Sequence, residues 1–223
     1  MKSYYDALFY DPEGAKRYYD FVNKHAVGPR VIEFACGTGD IMKMLSPDFE
    51  VVGVDIDPDM IEIAHQKYPE LKDVTTVGDF LDYTPEAPFD TAFCIGDSTN
   101  YILTPEDLEQ FIETMSNTSN HLIVDCHHPH RLNEFADDYY EEGSTDTFDY
   151  AYQIEVNEEH LVHVINFLDG TFDAIYQWVF DPKLLIDGFE KRGYKVTVYT
   201  DYIHEGFLPE GEKIVLVATK ETL

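Results

Sequence analysis

Residues Val31 to Asp40 read VIEFACGTGD, and this stretch decides the fold. Four apolar positions, Val31, Ile32, Phe34 and Ala35, form a short run of the kind that builds a buried strand. Cys36-Gly37-Thr38-Gly39 supplies a turn, and Asp40 opens a helical pattern with Ile41, Met44 and Leu45 on one side. Strand, glycine turn and helix make a cradle for a nucleotide-type ligand. Glycine reaches backbone conformations closed to other residues and lets a ligand touch the main chain.

Working outward, strands alternate with capped helices. Glu50 to Asp55 (EVVGVD) reads as strand two, Val74 to Val77 as three, Phe89 to Ile95 as four and His121 to Cys126 as five. Asp11-Pro12, Asp57-Pro58, Thr104-Pro105 and Asp181-Pro182 each pair a capping residue with a proline at a helix start. Such alternation predicts an α/β fold, a parallel sheet covered on both faces. After strand five the pattern changes. TFDYAYQIEV, HLVHVINFL and TFDAIYQWVF, between Thr145 and Phe180, read as three strands of an inserted antiparallel meander, the last two joined at Asp169-Gly170. Two more strands, Tyr194 to Tyr202 and Lys213 to Ala218, close the chain. We expect one domain over residues 1–223, a helical leader over 1–27 that serves as a lid, and an inserted sheet over 131–180 on the acceptor side.

The 223 residues suffice for a full core, which buries roughly 70% of the unfolded surface at this size. Forty-four acids against fifteen bases give a formal charge of −29. That leaves few residues from which to build a basic face, and argues against nucleic acid or an anionic membrane as partner. The leader MKSYYDALFY lacks signal-peptide architecture, and no apolar run approaches the ~20 residues of a membrane span. Cys36, Cys94 and Cys126 show neither metal nor redox spacing and read as reduced thiols. A cytoplasmic location is the expectation.

In an open parallel sheet, ligands sit at the carboxyl ends of the strands. Those ends carry Ala35-Cys36-Gly37, Asp55, Asp79, Ile95-Gly96-Asp97-Ser98 and Asp125-Cys126-His127, which brings four carboxylates to one edge. Asp55 lies 16 residues beyond Gly39, where a carboxylate accepts both hydroxyls of a ribose. Asp79 and Phe80 offer a polar edge and an aromatic wall to an adenine. A dinucleotide site reads G-x-G-x-x-G, and here no third glycine follows Gly39 and no P-loop lysine is present. With Glu33 and Asp40 on its flanks the cradle is poor for pyrophosphate and suits a cationic, zwitterionic ligand such as S-adenosylmethionine.

At this point the chain resembles a known family. VIEFACGTGD is similar to motif I of class I S-adenosylmethionine-dependent methyltransferases. VVGVDIDPDMIEIAHQK, VTTVGDFLDY and PFDTAFCIGDSTNYI resemble their second, third and fourth strand segments. The DSTNYI segment, Tyr5-Asp6 and the meander resemble small stand-alone bacterial members (YqeM-like). The resemblance implies a Rossmann-like, seven-stranded, mostly parallel sheet of order 3-2-1-4-5-7-6 with its last strand antiparallel. It implies that Ala35, Cys36, Gly37 and Gly39 admit the methionine moiety and that Glu33 orients its ammonium end. Asp55 would take the ribose, with Ile56 and Met60 beside the adenine, and Asp79 and Phe80 would complete the adenine site. Ile95 and Gly96 would line the methionine side, and Tyr5 and Tyr18 would cover the cofactor. Phe34 stands where leucine is commoner, a packing change.

Methyl transfer from a sulfonium is an in-line displacement in which the protein mainly positions the reactants, an effect worth ~7–11 kcal/mol of barrier. A general base is needed only for a protonated nucleophile. Asp97, Tyr101 and His127 are the candidates for catalysis, with Asn100, Asp125, His128 and His130 nearby. His127-His128-Pro129-His130 lacks metal spacing, so no metal is expected. His163 and Trp178 read as sheet packing. The expected function is methyl transfer to the nitrogen or oxygen of a small polar metabolite, and an acidic pocket would favour an amine. Methylation of a protein or RNA, and non-catalytic binding of S-adenosylmethionine, stand as alternatives.

Overall fold

A computed structural model describes residues 8, 9, 11–137 and 139–220. Helix α1 (Pro12–His25) starts where predicted, with the Asp11 carboxylate accepting from Glu13 N–H at 3.1 Å. Strand β1 (Arg30–Phe34) leads through the glycine turn into α2 (Asp40–Leu45), and β2 (Glu50–Asp55) into α3 (Pro58–Lys67). Then come β3 (Thr75–Val77), β4 (Thr91–Cys94), α4 (Pro105–Thr118) and β5 (His121–His127). A short helix α5 (Arg131–Glu134) precedes the inserted strands β6 (Tyr139–Ser144), β7 (Asp149–Asn157), β8 (His160–Phe167) and β9 (Phe172–Trp178). Helix α6 (Lys183–Lys191) and strands β10 (Lys195–Thr200), β11 (His204–Glu205) and β12 (Lys213–Thr219) follow.

The main sheet runs β3-β2-β1-β4-β5-β12-β10-β11. β1 pairs in parallel with both β2 and β4, and β12 runs antiparallel to its neighbours β5 and β10. The expected order therefore holds, with one correction: the two-residue β11 extends the edge and makes eight strands rather than seven. Alternation along β1 sends Ile32 and Phe34 into the core under α4 and α6, and Val31 into the core under α1, α2 and α3. Each large side chain fully buried in these layers contributes about 1.5–3 kcal/mol.

The inserted sheet is a sequential antiparallel meander of four strands, not three. Its first strand, β6, reads YYEEGS, is exposed along much of its length and carries no apolar alternation, as befits a charged edge. The two sheets are tied through Asn100, which is fully buried. Its amide donates to Trp178 O at 2.7 Å, and its Oδ1 accepts from His127 N–H at 2.9 Å. No helix among the described residues is long and apolar enough to cross a membrane.

Candidate active site

The order of strands reverses between β1 and β4, and two buried aspartates flank that point in matching roles. Asp55, ending β2, accepts the Gly37 N–H of the β1 turn at 2.7 Å and the Asp57 N–H at 2.8 Å. Asp125, in β5, accepts the Gly96 N–H of the β4 turn at 2.9 Å, the Asp97 N–H at 3.2 Å, and the Tyr202 hydroxyl. Each carboxylate thus clamps the loop of the neighbouring strand. Burial raises both carboxyl groups, Asp125 to about 6. The clamped turns use left-handed backbone, with φ of 57° at Ala35, 52° at Gly37, 80° at Gly39, 79° at Gly96 and 68° at Asp97. At Gly39 glycine is required twice over, because an added Cβ would lie 2.7 Å from Leu71 Cδ1.

Between the clamped turns opens a cavity of about 390 Å³. It brings together Tyr18, Glu33, Ala35, Cys36, Gly39, Ile95 and Gly96 on one side and Asp97, Tyr101 and His127 on the other. Gly37, Asp55, Ile56, Met60, Asp79 and Phe80 lie outside its lining. Ile56 is 67% exposed, Met60 is buried, Asp79 accepts from Leu81 N–H at 2.8 Å, and Phe80 packs edge-on against Phe111 in the core. Tyr5 lies outside the described residues. Tyr18 lines the cavity and packs against Tyr202 at 5.0 Å between ring centres.

Glu33 is buried and its carboxyl is raised well above the usual range, first by burial and then by Asp55 and Asp40. Its Oε2 is buried without a hydrogen-bond partner among the described residues. Asp40 differs from the expectation of a free acidic flank. It accepts from Lys67 at 2.7 Å, from Thr38 at 2.8 Å and from the Tyr68 hydroxyl at 2.6 Å. Burial works against its ionisation, yet these partners hold the carboxyl below its ordinary value.

On the acceptor side Asp97, 26% exposed at its side chain, forms an ion pair with Lys213 at the start of β12. Burial pushes the Lys213 ammonium down to about 7. His127 Nδ1 lies 3.2 Å from Asp97 Oδ1, and the ring, barely exposed, stands behind the carboxylate. Three residues of the meander complete this wall. Gln177 Oε1 lies 2.8 Å from His127 Nε2 and 2.9 Å from His163 Nε2, and His163 Nδ1 lies 2.6 Å from the Tyr152 hydroxyl. Burial lowers both histidines to about 4, so both rings are neutral near pH 7. His163 is thereby corrected from sheet packing to a cavity residue, whereas Trp178 is buried in the core as read. Arg131 also reaches the cavity, paired with Glu134 at 2.6 Å. The wall is rich in hydrogen-bonding groups, and its charges are paired rather than dominated by acid. His128 and His130 turn elsewhere: the His128 ring meets Leu208 O at 3.0 Å and accepts from His130 N–H.

One signal for the meander residues was present in the sequence. The strand register places Gln177 opposite Leu161 and His163 opposite Ile175, so these polar side chains share the inward face with Leu161, Ile165 and Ile175. Polar residues on a buried face need partners, and here they find one another.

Residues 31–120 match the family described as Methyltransferase domain. The chain is 25% identical over 146 residues, 62% of its length, to YqeM of Bacillus subtilis (strain 168), itself only assigned to the methyltransferases. It is 29% identical over 87 residues, 39% of its length, to dTDP-4-amino-2,3,4,6-tetradeoxy-D-glucose N,N-dimethyltransferase of Saccharopolyspora spinosa. The matched stretches span 59% and 34% of those two proteins. An S-adenosylmethionine-dependent methyltransferase from Clostridium acetobutylicum ATCC 824 has the same fold, with a TM-score of 0.82 at 20% identity over 97% of this chain and 96% of that one. Residues 31–120 thus match a methyltransferase domain, and the chain as a whole shares the fold of an S-adenosylmethionine-dependent methyltransferase.

Proposed function

We propose that this protein transfers a methyl group from S-adenosylmethionine to a nitrogen or oxygen of a small polar metabolite. The observation that carries the reading is the single cavity running from the motif I turn to the wall formed by Asp97, His127, Gln177 and His163. Its size is at the lower end of the ~300–1,000 Å³ typical of small-molecule sites. The orphaned Glu33 Oε2 at the buried end fits a ligand with a cationic donor group, so the residues present suit the methyl donor. Bound there, the donor supplies an electrophilic methyl on a sulfonium.

The chain's own work is to bind, orient and exclude water. Ala35, Cys36 and Gly39 border the methionine side, while Ile95, Gly96 and Tyr18 close it from above. Asp55 is assigned the ribose, since a carboxylate oxygen holding one backbone N–H keeps a second lone pair for a hydroxyl. The leader acts as the lid, a role supported by Phe9, which borders the cavity and packs edge-on against Tyr152 at 5.8 Å. Asp97, half-buried, is the proton acceptor, His127 backs it, and Tyr101 stands at the rim, 44% exposed. The paired, hydrogen-bonding wall supports a polar, sugar-like amine or alcohol over a polycation, and the aminosugar N,N-dimethyltransferase among the relatives supports nitrogen.

Calorimetry with S-adenosylmethionine, its demethylated product and NAD tests the donor. Heat is expected with the first two and not with NAD, and Asp55→Ala is expected to weaken binding at least tenfold. Silence with both sulfur compounds would overturn the assignment. A screen of amino sugars and other polar metabolites for methyl incorporation then tests the acceptor.

A further inference from the structure

One polar atom on the acceptor wall, His127 Nδ1, is buried without a well-formed hydrogen bond among the described residues, yet it faces Asp97 Oδ1, the oxygen that meets the Lys213 ammonium, at 3.2 Å. Hydrogen counting shows why. A carbonyl oxygen only accepts, so Gln177 Oε1 against both Nε2 atoms requires an Nε2–H on each ring. A neutral ring carries one N–H, which leaves His127 Nδ1 bare against a carboxylate oxygen. Two acceptors in contact in a buried site are unfavourable. A half-turn of the Gln177 amide exchanges oxygen for nitrogen at the same place, and the two ends of an amide differ in shape too little for packing to select between them.

We propose that Gln177 presents its amide nitrogen to both rings, giving one hydrogen to each Nε2, and thereby fixes His127 and His163 as Nδ1–H tautomers. His127 then donates to Asp97 Oδ1, which also meets the Lys213 ammonium, and the orphaned His127 nitrogen is satisfied. His163 donates its Nδ1–H to the Tyr152 oxygen, and Tyr152 turns its own hydrogen away from that ring. Gln177 is a positioning residue: it acts on the acceptor through His127 and Asp97.

The inference rests on the proposed function only in its consequence for transfer. In transfer, the new N–C bond would form as the donor's C–S bond breaks with its electron pair going to sulfur, and the one proton then in excess on the acceptor nitrogen would pass to the Asp97 carboxylate. The His127 N–H and the Lys213 ammonium hold that carboxylate in place. The groups facing His127 besides these are Arg131 and Glu134 of α5, Asp125 of β5 and the His163 ring of β8.

The test is a long-range proton–nitrogen spectrum of the whole 15N-labelled protein near pH 7.5, with neither donor nor acceptor present. His121 and His128 place Nε2 against the carbonyls of His25 and Leu208, at 2.8 and 3.0 Å, and so give the Nε2–H pattern as internal references. Among the nine histidines, two rings are expected to show the opposite, Nδ1–H pattern, one of them lost in His163→Gln. Gln177→Glu, whose carboxylate only accepts, is expected to convert both to Nε2–H. It should also lower kcat at least tenfold, with donor affinity by calorimetry within twofold of the parent. Nε2–H on both rings of the unaltered protein, unchanged by Gln177→Glu, overturns the proposal, and the unaltered spectrum decides even if the variant does not fold. A protein that shows the Nδ1–H pair but methylates nothing in the acceptor screen overturns the function and leaves the tautomers standing.

Discussion

Replacing Asp125 by asparagine isolates the buried clamp that holds the β4 turn. The carboxyl is completely buried and accepts from Gly96 N–H, Asp97 N–H and the Tyr202 hydroxyl, and burial raises it from 3.8 to about 6. The folded state therefore binds a proton between about pH 4 and pH 6 that the unfolded chain has released. Stability from this group is complete below pH 4 and falls as the pH rises through 6. At ~1.36 kcal/mol per pH unit the loss comes to about 3 kcal/mol. Asparagine keeps the size of the side chain and removes the titration. It also turns one N–H toward a donor, a constant cost of about 1–3 kcal/mol.

The comparison must be between variant and parent, because His127 and His163 act in the opposite direction. Their folded values near 4 lie below the ordinary 6.5, so the stability they contribute is present above 6.5 and lost as the pH falls toward 4. Denaturant melts of both proteins between pH 4 and 7 read the difference directly. The parent's stability relative to Asp125→Asn is expected to decline by about 3 kcal/mol from the acid to the neutral end. Two parallel curves would refute the reasoning, because they would mean that Asp125 has the same pKa folded and unfolded.

Three further perturbations probe other parts of the site. Gly39→Ala places a Cβ at a φ of 80°, 2.7 Å from Leu71 Cδ1, so melts should register a loss of about 1–3 kcal/mol, with weaker donor binding by calorimetry. Lys67→Met leaves Asp40 without its cation. The carboxyl should titrate higher by NMR, and the stability that ionised Asp40 contributes, lost in the parent as the pH falls through its lowered folded pKa, should shrink in the variant. Asp97→Asn should lower methyl incorporation by ~10²–10⁴-fold while donor affinity stays within twofold, and an unchanged rate would remove Asp97 from proton transfer.

The order of the main sheet came from the family resemblance, whereas the glycine turn and the capped helices were legible from VIEFACGTGD and the segments after it. Each depends on residues close in sequence: apolar alternation, a cap with its proline, and backbone angles that glycine adopts most readily. The same local reading located carboxylates at the strand ends but not where they point. Asp55 turns to Gly37 N–H and Asp125 to Gly96 N–H, and Phe80 packs edge-on against Phe111. Strand β6 escaped notice because an exposed, acidic edge needs no apolar period. The acceptor wall was least visible. His127 meets Gln177 across 50 positions of sequence and from a different sheet, and His163 meets it across 14 through the β8–β9 register. Local sequence thus determined most of the elements that form and the glycine turn after β1, because propensity and periodicity act between near neighbours. Only the tertiary structure decided which polar groups become partners at the acceptor, because a buried hydrogen bond forms wherever packing brings donor and acceptor together, however far apart they lie in the chain.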